Sequence, residues 1–270
     1  MSLSFSVANT MTRGPNPIVV AWSVLRSLVA VRPPRPSGAG VLSHEALRPP
    51  LNRLAGGESG ALGHLEKELT IYLDELRRHS PDGLTRDEAL AFWINLYNAG
   101  ALILAGQAHR TGEESVLGVP SGFRSDFIYI DGESLSLDDI EHGKLRRFQD
   151  PRIHAALVCG SVSCPTLRGE PYIGIGLNEQ LDHQLRYFLA AGGCSVDRAE
   201  SVVRLSRVFL WFGADFVRPN RMPTFRPVSR SATLSAVTPW LDPETVDWIA
   251  SARPDVQFQS YDWGLRCVVR

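Results

Sequence analysis

Leu65, Leu69, Leu73 and Leu76, with Leu62 before them, recur at spacings of three and four. That is one face of an amphipathic helix, and Pro81-Asp82-Gly83 closes it. Thr85 followed by Glu88 reads as a capping box opening a second helix through Leu104. Phe127-Ile128-Tyr129-Ile130, Asp131-Gly132 and Glu133-Ser134-Leu135 predict a hairpin, because Asp-Gly supplies the positive φ angles of a tight turn. Ser136 then caps a short helix from Leu137 to Arg147, and alternation predicts a strand from Arg152 to Cys159, with a loop after it through Pro171. Leu177, Leu181, Leu185 and Phe188 share one face of a helix over 177–189. Ser201–Leu205 reads as a strand, Thr245–Ala252 as a short helix and Val256–Tyr261 as a last strand. Helices dominate around a modest sheet, so the predicted fold class is α+β.

Ahead of this pattern, residues 1 to about 16 read as disordered, broken by Gly14 and Pro15, with Pro17 following. The apolar run Ile18–Val31 is interrupted by Arg26 and ended by Arg32. It is too short to span a bilayer and lacks the charged start and cleavage site of a signal peptide. The expectation is a helix packed on the domain; docking of residues 18–31 to a partner or a membrane surface is the alternative. Pro33 to Gly40 is a linker by composition. Residues 1–40 are thus read as an N-terminal helical extension and residues 41–270 as a single globular domain.

Charge changes the picture by exclusion. A net charge of -1 argues against nucleic-acid binding as the main activity. Of the 28 basic residues only Lys67 and Lys144 are lysines, which reads first as genome composition. The 4 cysteines in 270 residues are unevenly spaced, unlike a secreted disulfide framework, and fit a reducing, cytoplasmic setting. There is no Gly-x-x-x-x-Gly-Lys loop, no dinucleotide glycine fingerprint and no Gly-x-Ser-x-Gly elbow. These absences count against nucleotide-driven and serine-hydrolase chemistry on the common scaffolds. No cofactor is expected, and the partner expected is a small-molecule or peptide substrate.

Candidate chemistry concentrates in Asp150 to Pro165, where Arg152, His154, Cys159 and Cys164 fall together. Alternation puts Arg152, His154, Ala156 and Val158 on one face and Ile153, Ala155, Leu157 and Cys159 on the other. Cys159 then reads as a small buried hydrophobe. Cys164, in the turn after Gly160-Ser161-Val162-Ser163, is the more exposed thiol and the favoured nucleophile. Cys194 and Cys267 show no comparable setting. The leading reading is cysteine attack on an amide, ester or thioester, with His142 or His154 as general base. Asp215, Glu141 or an asparagine would orient that histidine, as in papain-like and transglutaminase-like enzymes, and amides of the Gly160–Ser163 turn would hold the oxyanion.

Three other readings stay open. Cys159 and Cys164 could form a redox pair, although the spacing is not Cys-x-x-Cys. They could bind metal with His142 or His154, although no paired ligand spacing is present. They could be structural, in a non-catalytic interaction module. Asn95 and Asn98 lie on one helical face beside Trp93 and Tyr97, either orienting substrate or tying the helix to a neighbouring loop. Asp138 and His142 can pair four residues apart. Arg146 and Arg152 suit a substrate carboxylate or phosphate, whereas Arg147 reads as a surface ion pair. His44, His64, His79, His109 and His183 read as ordinary surface residues.

Several of these blocks together resemble the domain-of-unknown-function 547 family. They are Phe92-Trp93-Ile94-Asn95-Leu96-Tyr97-Asn98-Ala99; Leu135-Ser136-Leu137 through Ile140-Glu141-His142-Gly143-Lys144-Leu145-Arg146; Asp150 through Cys164-Pro165; and Asp215-Phe216. The ending Tyr261-Asp262-Trp263-Gly264-Leu265 resembles the tail often found after that domain, with Arg266 where asparagine is usual. The resemblance runs from about residue 85 to 265 and implies a shared fold and site, without a reaction.

Overall fold

The computed structural model describes residues 16–56 and 65–266. Leu62, His64, Cys267 and the reading of residues 1–15 as disordered lie outside that range. The fold is α+β: nine helices are described, with a two-stranded and a three-stranded sheet.

The spine is a helix that the sequence pattern underestimates. Among the helices α1 (Pro17–Ala30), α2 (Arg48–Ala55), α3 (Glu66–Leu76) and α4 (Arg86–Thr111), the last is 26 residues long. It runs past the predicted Leu104 because its stop signal is Gly112, left-handed at φ 73. Residues from Glu88 to Ala108 are buried almost continuously. A helix apolar on every side must be surrounded by protein or lipid; by length and composition this one could cross a membrane, yet its apolar window is 94% buried in the protein core. Its start is half a capping box. The Thr85 hydroxyl accepts the Glu88 N–H, but the Thr85 amide goes to Gly40 O and not to Glu88.

Two apolar clusters organise the molecule. The first gathers α2, α3 and α4 with the hairpin β1 (Ile128–Ile130) and β2 (Glu133–Leu135), which turns at Asp131 and Gly132 with φ 52 and 81 as predicted. The second joins α6 (Leu177–Phe188), α7 (Val208–Val217), α8 (Arg230–Val237) and α9 (Pro243–Ala252) to β3 (Cys194–Asp197), β4 (Val202–Leu205) and β5 (Asp255–Phe258). β4 is central, antiparallel to β3 and parallel to β5. Full burial of a Phe or Leu side chain contributes about 1.5–3 kcal/mol, so each cluster is a core in its own right.

The segment from Asp150 to Cys159 runs along the seam between these cores. Ile153 and Ala156 pack into the first and Ala155 into the second. It is not the predicted strand. Ile153–Ala156 forms a single helical turn, α5, followed by extended Leu157 to Cys159 outside any sheet. Local chemistry explains the difference: Asp150 Oδ1 accepts the Arg152 N–H at 3.0 Å with Pro151 next in line, the capping-residue-then-proline signature of a helix start. The predicted helix 137–147 is likewise a π-helical turn, Asp139–Lys144, tightening into a 3-10 turn, Leu145–Phe148. Such wide turns are frequent at functional sites.

Helix α1 docks on that π turn. Asp139 accepts from Ser27 Oγ at 2.7 Å, Ser136 Oγ at 2.7 Å and Arg26 Nη2 at 2.8 Å, and Ser23 Oγ donates to Asp138 at 2.5 Å. Gly143 makes the approach possible, since a Cβ there would sit 2.7 Å from Val31 Cβ and 3.0 Å from Ser27 O. The segment 33–40 reads as a linker by composition but is anchored, with Ser37 N donating to Asp82 O and Gly40 N to Gly83 O. His44 is a further correction: it is 1% exposed and 2.7 Å from the Tyr72 hydroxyl, and burial pushes its pKa down to about 4.

Candidate active site

Asp215, on α7, is the electrostatic centre of the seam. Its carboxylate accepts Arg146 Nε at 2.7 Å, Arg146 Nη2 at 3.0 Å, His154 Nε2 at 3.0 Å and Thr224 N at 3.2 Å. Burial alone would raise this carboxyl, but hydrogen bonds and charge from His154 and Arg146 hold it far below the ordinary carboxylate range. An ionised carboxylate only accepts, so the His154 hydrogen sits on Nε2. Burial keeps the ring neutral against the pull of Asp215. His154 Nδ1 therefore carries a lone pair with no hydrogen-bond partner, 4.0 Å from Glu141 Oε1. Phe212 stacks on the ring at 3.9 Å and fixes its plane.

Glu141 comes from the π turn. Burial first, then the charge of Asp138, raises its pKa to about 8, so it is a neutral acid at pH 7. The Tyr97 hydroxyl donates to its Oε2 at 3.4 Å. His142, its neighbour, is held neutral by burial and by the Arg146 charge beside it, with Nδ1 3.5 Å from Arg146 Nη1. The predicted pairing of His142 with Asp138 does not form, because Asp138 is taken by Ser23.

The thiol beside this group is Cys159. Its sulfur lies 2.9 Å from Ser161 Oγ and 3.3 Å from the Tyr261 hydroxyl, and those two hydroxyls are 2.9 Å apart. Hydrogen bonding from the Cys164 thiol, then from Ser161 and Tyr261, outweighs burial and lowers the Cys159 pKa to about 6. Cys164 sits differently. Its sulfur accepts the Cys159 amide at 2.9 Å and lies among Leu102, Val158, Gly160, Pro165, Leu167 and Arg266. Both sulfurs are half-buried: Cys159 takes the two hydroxyl contacts, and Cys164 takes the Cys159 amide while packing against the first core.

The chain's tail closes over the turn. Val162 N donates to Gly264 O at 2.8 Å, Ser163 N to Asp262 O at 3.2 Å and Arg266 N to Gly160 O at 2.7 Å. This takes three of the four amides of the expected oxyanion site, since those of Val162 and Ser163 go to tail carbonyls and that of Ser161 to the Cys159 sulfur. Tyr261, Trp263 and Trp211 form an aromatic shelf with centroids 4.5–5.6 Å apart.

The remaining sequence candidates bond the protein's own groups. Asn95 exchanges two hydrogen bonds with the backbone of Tyr172, at 2.7 and 2.9 Å, and Asn98 bonds Ala156 O and Val158 N at 3.0 Å each. Of the two tasks open to them, the geometry has loop tying. Arg146 is 3% exposed with its fork filled by Asp215, and Arg152 is held by Asp150, Asp182 and Asn178. Neither guanidinium is presented to a ligand. Arg147 donates to Leu28 O in place of a surface ion pair. Ser161 and Tyr261 carry a signal only through the family-like blocks in which they lie, and Phe212 carries none. Among the described residues no cluster of three or more His, Cys, Asp or Glu side chains is arranged to hold a metal, and Cys159, Cys164 and Cys194 are thiols.

The family model described as "Protein of unknown function, DUF547" matches residues 81–189. That stretch contains Glu141, His154, Cys159 and Cys164, while Asp215 and Tyr261 reach the site from beyond it. No curated protein and no solved structure matches the chain.

Proposed function

Because residues 81–189 form a DUF547 domain, whose family description assigns no reaction, we propose from the site itself that the protein performs cysteine-dependent acyl chemistry. Cys159 is the nucleophile, and the substrate is an amide, ester or thioester. The observation that carries this reading is the Cys159 sulfur held by two hydroxyls at 2.9 and 3.3 Å beside a neutral carboxylic acid.

The thiolate attacks the acyl carbon, forming a C–S bond and an oxyanion. The Tyr261 hydroxyl is the donor positioned to meet that charge. Glu141, protonated at neutral pH, gives its proton to the leaving group as the acyl–oxygen, –nitrogen or –sulfur bond breaks. Its carboxylate then takes a proton from water, for hydrolysis, or from an acceptor amine or alcohol, for transfer. The activated oxygen or nitrogen attacks the thioester, the C–S bond breaks, and the Cys159 thiolate returns with Glu141 neutral again. His154, held through Nε2 by Asp215, faces Glu141 with its Nδ1 lone pair at 4.0 Å and positions it. The shelf of Trp211, Tyr261 and Trp263 gives the acyl group an apolar wall.

A panel of activated aryl esters and thioesters tests this. Turnover lost in Cys159→Ala and kept in Cys164→Ser is the expected result. Turnover kept in both variants would end the proposal. A second reading, a docking module, has one observation behind it: Ile18, Trp22, Leu25 and Val29 leave an apolar face of α1 54–80% exposed.

A further inference from the structure

In the acyl chemistry Cys164 only helps to hold the Cys159 thiolate. Its position is nevertheless specific. The turn from Cys159 is closed by Cys164 N donating to Ser161 O at 3.1 Å, and Gly160 opens it at φ 80. That fold-back brings the Cys164 sulfur onto the Cys159 amide at 2.9 Å. The Cys164 thiol also hydrogen-bonds the Cys159 sulfur. A nucleophilic thiolate with a second thiol in contact is the arrangement in which an oxidised sulfur is captured before it is oxidised further.

We propose that Cys159 and Cys164 form a peroxide-responsive pair: a peroxide oxidises Cys159 to a sulfenic acid, and Cys164 closes on it as a reversible disulfide that withdraws the nucleophile. This rests on the reading of Cys159 as a reactive thiolate. In the first step the thiolate attacks one peroxide oxygen and the O–O bond breaks. Hydroxide or alkoxide leaves and takes up a proton. Sulfur loses two electrons and the peroxide gains them. In the second step the Cys164 sulfur attacks the sulfenyl sulfur, the S–S bond forms and the S–O bond breaks. The departing hydroxide combines with the Cys164 proton as water. An external dithiol reverses the change by exchange.

Cys194 provides the internal contrast. Burial, with the charge of Asp242, pushes its pKa up to about 11, so it is a poor nucleophile toward peroxide at neutral pH.

The test uses the reduced full-length protein. It is treated with one equivalent of hydrogen peroxide near pH 7, blocked with N-ethylmaleimide, digested with trypsin and mapped by mass spectrometry. Cleavage after Arg152 and Arg168 puts both cysteines in one peptide, residues 153–168. The expected product is that peptide short of two hydrogens, with neither cysteine alkylated and the change undone by dithiothreitol. In Cys164→Ser the same dose leaves a sulfenic acid at Cys159 that dimedone captures. Oxidation of Cys159 to sulfinic acid with Cys164 still alkylated would overturn the proposal, as would earlier oxidation of Cys194. Alkylation separates the two claims. Fast labelling of Cys159 without a disulfide removes the redox pair and leaves the nucleophile; slow labelling removes both.

Discussion

Replacing Asp215 by asparagine should cost a large part of the protein's stability, and the four hydrogen bonds say how much. The carboxylate serves two nitrogens of Arg146, one of His154 and the Thr224 amide. Asparagine keeps one acceptor oxygen and turns an NH₂ toward Arg146, which can only donate. Arg146, 3% exposed, then stays charged with no anion. Breaking a buried pair in this way costs about 3–5 kcal/mol, out of a total of about 5–15 kcal/mol for a folded domain. Urea unfolding at pH 7 should show it as a midpoint lowered by about 1 M or more, for a slope of about 3 kcal/mol/M that does not change. Asp215 is depressed from a reference of 3.8. Its contribution is therefore full above about pH 4 and is lost only as pH falls through the folded value. The gap between wild type and Asp215→Asn should be the same at pH 7 and pH 5. A loss below 1 kcal/mol, or a gap already closing by pH 5, would refute the reasoning. A paired Arg146→Met and Asp215→Leu variant should recover much of the loss, because no charge is left uncompensated.

Glu141→Gln should do the opposite. A carboxyl raised from 4.5 to about 8 favours folding while protonated, so that contribution is whole below pH 4.5 and fades as pH rises through 8, by about 1.4 kcal/mol per unit. Both proteins keep Cys159, so the variant should gain on wild type steadily between pH 5 and 8 in urea unfolding; parallel stability profiles would contradict the assignment. Asn98→Ala leaves the buried Ala156 carbonyl and Val158 amide unpaired, at about 1–3 kcal/mol each; a change in thermal unfolding equivalent to under 1 kcal/mol would mean these bonds matter little. Tyr261→Phe removes one donor from the Cys159 sulfur and should raise the midpoint of its alkylation profile by about one pH unit, whereas an unchanged midpoint would show that the tail does not tune the thiol.

Elements with a strong local signal were legible in the chain. The Leu65–Leu76 face, the Asp131-Gly132 hairpin and the Leu177–Phe188 helix follow from spacing and turn chemistry alone. Helix α7 was not, because Val208 to Val217 is apolar on nearly every position and has no helical period to read. Strand β3 offers two apolar side chains, Cys194 and Val196, and exists through its pairing with β4. The site divides along the same line. Glu141, His142, His154, Cys159 and Asp215 stand out by residue type, and His154 does lie against both Asp215 and Glu141. Their roles do not stand out: reading 152–159 as a strand sent Cys159 to the apolar face, whereas the helical turn after Asp150-Pro151 rotates it toward Ser161 and Tyr261. Tyr261 lies about a hundred residues on, and only the closed chain reveals its contact. Arg146 and Arg152 illustrate the converse, since a sequence shows a cation but not the carboxylate that already holds it.

The most direct test of the account is the rate of Cys159 alkylation by limiting iodoacetamide across pH 4–10 in the full-length protein, each cysteine being followed by mass spectrometry. The account predicts that Cys159 labels first, with a midpoint at about 6, and that Cys194 reaches no midpoint by pH 10. A Cys159 midpoint at the ordinary thiol value of about 8.5, or labelling led by Cys164, would contradict it.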